Sequence, residues 1–237
     1  MKFISKIALV ALFFTQPLLA LAQQQTTITR EAELGALITS GNTDQQTLNF
    51  GVAIDIDQGQ WDYQFTLDGI YTNSDNVVKA QRITGIALAD RDLTEYSFFQ
   101  SRASHEDDRF SGFDSQSDLT FSYGHDLLRS QANMNLSLIT GVGVRYSVQN
   151  GSDSSEPIFR LAGEYDWTVS ESAVFGQNLS IEAGSNSDIY RSETSIETRI
   201  LSNLTFRFSV NIKHQTVVPL DRKKTDTETA LTFVMSF

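Results

Sequence analysis

The chain has three histidines, and each is a candidate general base for a serine nucleophile. His105 stands in the stretch SHEDD, His125 in YGHDL, and His214 near the end of an alternating apolar stretch. Ser104 and Ser111 are the nucleophiles that His105 or His214 would serve if one rim of a sheet brought them together. Spacing in sequence does not establish contact across strands, so these residues read as exposed polar histidines and no catalytic residue is assigned. An enzyme, in the form of a barrel lipid hydrolase, is a distant alternative. There is no cysteine, so neither a disulfide framework nor thiolate chemistry is available.

Oxygen donors cluster twice, at Glu106-Asp107-Asp108 with Asp114 and in the run from Asp153 to Glu156. Both offer the hard ligands that calcium and magnesium take, but neither has the ordered spacing of a calcium loop. They read as solvated acidic outer loops that divalent cations would bridge to lipopolysaccharide phosphates. No metal site and no cofactor is assigned.

A third set of charges recurs at alternate positions. Glu33, Asp55, Asp62, Asp68, Asp118, Glu164, Asp166, Glu182 and Glu228 share one face of their stretches with Arg102, Arg145, Arg160, Arg207 and Lys213. Inside a closed sheet they would form a pairing network that fills the lumen, or the lining of a small aqueous pore. The lumen-lining set expected is Asp55, Asp62, Asp68, Asp118, Arg145, Arg160, Glu164, Arg207 and Lys213. Its acidic excess would favour cations.

The elements that must position these residues are strands. In QTLNFGVAIDID, Leu48, Phe50, Val52, Ile54 and Ile56 alternate with polar or small residues. A Gln58-Gly59 turn leads into a second stretch carrying Trp61, Tyr63, Phe65, Leu67 and Tyr71. That pair predicts a hairpin. The same period of two predicts strands over 30–40, 46–57, 60–72, 79–90, 95–106, 115–125, 133–148, 158–168, 173–184, 189–199, 204–216 and 226–237. The fourth, fifth and tenth are weakly patterned. Lengths of about 10 to 13 residues approach the 9 to 11 of a tilted transmembrane strand. An even count returns both ends to one side, as bacterial single-chain barrels require. Pro157 and Pro219 are expected in loops, leaving every ladder uninterrupted.

The fold class expected is all-β, a transmembrane antiparallel up-and-down barrel of about 12 strands. Residues 1–22 read as a secretory signal peptide, with Lys2 and Lys6, an apolar run from Ile7 to Phe14, and Ala20-Leu21-Ala22 at the cut. Residues 23–237 then form the barrel domain. Loss of the two lysines takes the formal charge from −11 to −13, which excludes nucleic acid as a partner selected by overall charge. Mostly short links would face the periplasm and longer polar ones the outside. Trp61, Tyr63, Tyr123, Tyr165, Trp167, Phe175 and Phe206 would form the periplasmic aromatic girdle, with Tyr71 and Tyr146 near the other rim. Leu231, Phe233, Met235 and Phe237 make a terminal apolar stripe that resembles the signal read by bacterial barrel-assembly machinery.

ITSGNTDQQTLNFG, DLTEYSFFQSRASHEDDRFSGFD, YDWTVSESAVFGQNL and KKTDTETALTFVMSF resemble the salt-induced, YdiY-like outer membrane family, domain of unknown function family 481. The likeness runs from about Glu31 to Phe237, and its most specific pieces are Gly41-Asn42-Thr43, residues 108–112 and Lys224-Thr225-Asp226-Thr227. The resemblance implies an outer-membrane β-barrel in an osmotic or salt context and names no substrate. Two functions follow as expectations: a small, weakly cation-preferring channel for ions or small solutes, or a non-conducting structural or envelope-stress barrel. Outer-membrane lipids, lipopolysaccharide and the barrel-assembly machinery are the partners expected, and the cell outer membrane is the expected location.

Overall fold

The computed structural model describes residues 26–39, 45–74, 77–109, 111, 113–149, 151–219 and 222–237. The leader, the Gly41-Asn42-Thr43 piece, and Phe110 and Gly112 lie outside the described residues. Twelve strands follow one another: β1 (Thr27–Thr39), β2 (Gln45–Asp57), β3 (Trp61–Ser74), β4 (Val77–Thr94), β5 (Ser97–Asp108) and β6 (Ser115–Asp126). They continue as β7 (Met134–Gln149), β8 (Ser152–Ser170), β9 (Ala173–Gly184), β10 (Ile189–Leu201), β11 (Leu204–Gln215) and β12 (Thr225–Ser236). Each pairs with its neighbours in sequence, and β12 pairs antiparallel with β1, so the sheet closes. Closure removes the free edges that long alternating strands would otherwise expose.

Burial is inverted relative to a soluble protein. Leu34, Phe65, Val142, Leu231 and Phe233 stand on the outer wall with 42 % to 63 % exposure, while Arg145 and Glu182 inside are 1 % exposed. An apolar outer wall around a charged interior is the pattern of a barrel whose surroundings are lipid. Stacked Trp61–Tyr63, edge-on Tyr165–Phe175 and edge-on Phe206–Phe233 gather towards the rim where β1 begins and β12 ends, here the near rim. At the far rim Tyr190 packs against His214.

Two sequence expectations need correction. Pro157 lies within β8, opposite Val144, rather than in a loop. Because β9 ends at Gly184 opposite Ile158, β8 has a neighbour on one side only at Pro157, the position where a strand tolerates a residue without an N–H. The contrast between short and long connections is also weaker than expected. At the far rim β3 joins β4 through 75–76, and β7 joins β8 through 150–151, with Gly151 at φ 74°. The longest near-rim connection, 127–133, exceeds both. Polar residues of the expected loops extend the strands instead. The position of the chain ends therefore distinguishes the two rims more firmly than loop length does.

Candidate functional site

Strand alternation turns the charged side chains inward, and the ring of strands brings them together. They form two zones. Towards the far rim a belt of ion pairs crosses the lumen. Arg82 on β4 donates two hydrogen bonds to Glu228 on β12, at 2.6 and 2.5 Å. Lys213 on β11 pairs with Glu106 on β5. Arg145 on β7 donates from Nε to Asp118 Oδ1 at 3.0 Å, from Nη2 to Glu182 Oε2 at 2.9 Å, and from Nη1 to the Ser187 carbonyl at 3.1 Å. Glu156 Oε1 lies 3.6 Å from Arg145 Nη1, and Glu156 Oε2 accepts from the backbone N–H of Asn186 at 2.6 Å. Arg191 donates to Glu182 Oε2 at 2.6 Å. Ser187 Oγ in turn meets the Val217 carbonyl at 3.4 Å. The β9–β10 turn is thus held between the belt below and the segment after β11.

Towards the near rim the balance is acidic. Glu31, Glu33, Asp55, Glu164, Asp166 and Glu197 share this part of the lumen with Arg207, which pairs with Glu33 at 2.5 Å and Glu197 at 2.7 Å. The lumen holds a cavity of about 750 Å³. Among the described residues twelve carboxylates and six basic side chains line it. In a confined, low-dielectric space such an excess raises the local concentration of cations.

Of the residues singled out in sequence, Asp55, Asp68, Asp118, Arg160, Glu164, Arg207 and Lys213 line this cavity. Arg145 is buried in the belt behind it. Asp62 shares the inward face of β3 with Gln64, Thr66 and Asp68 but sits at its near end, opposite Asp57 and Asp90, beyond the residues that line this cavity. Sequence reasoning missed Arg82, Arg191, Glu193 and Glu197, all of which line the cavity. Their strands, β4 and β10, have blurred alternation. On β4 the inward face carries Ile86 and Leu88, while Gly85, Ala87 and Ala89 alternate with them on the outer wall.

Residues 106–108 and 153–156 belong to strands rather than to loops. Glu106 belongs to β5 and Glu156 to β8, and both point into the lumen against basic partners. Asp153 accepts from the Tyr146 hydroxyl at 3.0 Å, and Asp114 from the Gly151 N–H at 3.1 Å. Among the described residues no group of three His, Asp or Glu is arranged to hold a metal ion. The histidines are dispersed as well. His105 is exposed and hydrogen-bonds Ser117 at 2.8 Å, whereas Ser104 accepts from Arg102 at 2.9 Å. His214 is half-buried and bonds Thr225 at 2.7 Å. Ser111 is engaged within its own turn by Asp108.

The terminal stripe is continuous on the outer wall, with Leu231, Phe233, Met235 and Phe237 exposed while Thr232 and Val234 are buried. A family described as "Protein of unknown function, DUF481" matches residues 32–237. The chain belongs to the DUF481 family. No curated protein matches it. Several solved barrels share the DUF481 fold seen here. The NanC porin is similar with a TM-score of 0.50 at 6 % identity, over 89 % of this chain and 98 % of that one. The translocator domain of the autotransporter NalP from Neisseria meningitidis gives 0.51 at 10 % identity, over 88 % and 87 %. An outer membrane channel from Pseudomonas putida F1 gives 0.50 at 10 % identity, over 90 % and 96 %. At these identities the likeness establishes an outer-membrane β-barrel fold and nothing finer.

Proposed function

We propose that this DUF481 protein is a low-conductance, weakly cation-preferring outer-membrane barrel for ions or small solutes. The observation that carries the reading is the cavity, lined by twice as many carboxylates as bases. Its near rim faces the periplasm, as both ends of the barrel do in bacterial single-chain barrels. Residues 1–22 are removed on export, 23–237 are the barrel domain, and the outer wall sits in outer-membrane lipid and lipopolysaccharide. Divalent cations at the far rim are part of this reading, and so is delivery by the barrel-assembly machinery.

Planar-bilayer recording on refolded protein tests it. A small conductance whose reversal potential favours potassium over chloride supports the reading, and an anion preference overturns it. A second reading, a non-conducting structural barrel, draws support from Lys213–Glu106 and Arg82–Glu228, which tie distant walls together. Silence from correctly inserted protein selects that reading.

A further inference from the structure

The far-rim belt holds one positive charge more than its immediate partners balance. Four guanidiniums, Arg102, Arg145, Arg160 and Arg191, surround three carboxylates, Asp118, Glu156 and Glu182. Glu182 Oε2 already accepts from Arg145 and Arg191. Its Oε1 lies 3.8 Å from both Arg102 Nη1 and Arg160 Nε, within ion-pairing range and too far for a hydrogen bond.

Arg160 is the guanidinium left over. It is 7 % exposed, and its Nε and Nη1 have no hydrogen-bond partner among the described residues. Buried guanidinium N–H groups without acceptors are costly, and a carboxylate presented two oxygens at once would satisfy them. Arg102 and Arg160 both line the cavity. So does Gln100, whose buried Oε1 is likewise unpartnered.

A free anion approaching this pair meets the acidic excess of the same cavity. A solute with no net charge does not suffer that repulsion, and its cationic end matches the acidic lining. Glu164 lies four residues along the inward face of β8 from Arg160, about 13 Å of strand. Both line the cavity, so the same strand face presents a basic end and an acidic end to a small solute. The geometry points to a binding site for small zwitterions, with the solute carboxylate on Arg160 and Arg102 and its ammonium towards Glu164. This deepens the solute reading given above and rests on it.

Calorimetry on the full barrel folded in detergent tests the site without requiring conduction. The probes are 4-aminobutanoate, butanoate and butylammonium, which share a carbon skeleton. In the wild type, 4-aminobutanoate binds at least tenfold more tightly than either singly charged probe. Arg160→Gln lowers its affinity to that of butylammonium, and Glu164→Gln to that of butanoate. Where Arg160→Gln does not fold, Arg160→Lys keeps the charge, loses the paired donors, and weakens the zwitterion severalfold. Equal affinities for the three probes, or tighter binding of either half than of the zwitterion, overturn the site. So does 4-aminobutanoate affinity unchanged by the Arg160 variants. A barrel that binds the zwitterion yet stays silent in bilayers contradicts the channel reading and leaves the site standing. A conducting barrel that binds none of the probes does the reverse.

Discussion

Lys213 on β11 and Glu106 on β5 form an ion pair between strands six places apart in a ring of twelve, so this contact ties opposite walls of the barrel. Arg82 and Glu228 join strands four places apart in the same ring. Two such ties span the far half of the lumen, and under the channel reading proposed above they would narrow the passage.

The first prediction follows from breaking one tie. Lys213→Met leaves the Glu106 carboxylate in a confined lumen without its partner, and its side chain is only 13 % exposed. A loss of about 3 kcal/mol is expected, at the low end for a broken buried pair because the lumen is partly wet. Adding Glu106→Gln should restore part of it. Urea unfolding of protein in lipid vesicles measures both variants, and additive losses would show that the pair is not coupled. In bilayers the double variant should also pass more current than the wild type.

Selectivity should map onto position within the lumen. Asp55 and Asp68 line the cavity, and Asp68 Oδ1 overhangs Gly51 on the neighbouring strand, 2.8 Å from where a Cβ would stand. Asp62 lies outside the lining. Asp55→Asn with Asp68→Asn should therefore move the reversal potential towards anions, and Asp62→Asn alone should move it little. Raising salt from 0.1 M to 1 M should shrink the difference, as the Debye length falls from about 10 Å to about 3 Å. A dominant effect of Asp62 would refute the assignment.

These predictions draw on contacts that the sequence does not contain. Period-two alternation was enough to read twelve strands and the inward face of β2, β3, β6, β7, β8 and β11. It failed where the outer wall carries small or polar residues, as at Thr194 and Thr198 on β10, which hid Arg191, Glu193 and Glu197. It also placed Glu106 and Glu156 in loops, because charged residues near a strand end look like turn residues. Partners were not legible at all. Arg82 meets Glu228 at a separation of 146 residues, and the stagger of strands around the closed ring decides which inward charges share a level.

Two glycines should respond oppositely to alanine. A Cβ at Gly143 would stand 2.2 Å from the Leu119 carbonyl oxygen and 2.9 Å from Thr120 Cα, so β6 and β7 would have to separate. About 2–3 kcal/mol of destabilisation is expected. At Gly163 the nearest atom is Leu138 Cδ2 at 3.5 Å, ordinary contact. Gly163→Ala should be neutral or stabilise by roughly 0.5 kcal/mol. Comparing urea midpoints decides this, and equal shifts would mean that β6 and β7 are less tightly apposed than the structure has them.

Assembly provides the last prediction. Phe237 closes the outer stripe at 66 % exposure, and its backbone exchanges two hydrogen bonds with Arg30 on β1, at 3.0 and 3.2 Å. Ser236 points the other way, its hydroxyl donating to Glu31 Oε1 at 3.0 Å. Phe237→Ala keeps the backbone pair and removes the terminal ring. Deletion of Phe237 removes both. If the assembly machinery reads the outer stripe, Phe237→Ala should lower the folded fraction in membranes several-fold, while Ser236→Ala leaves it within a factor of two. If closure of β12 on β1 matters more, only the deletion should lower it. Heat-dependent gel mobility separates folded from unfolded protein in each case. Equal folded yields from Phe237→Ala and Ser236→Ala would show that the ring is not what is recognised.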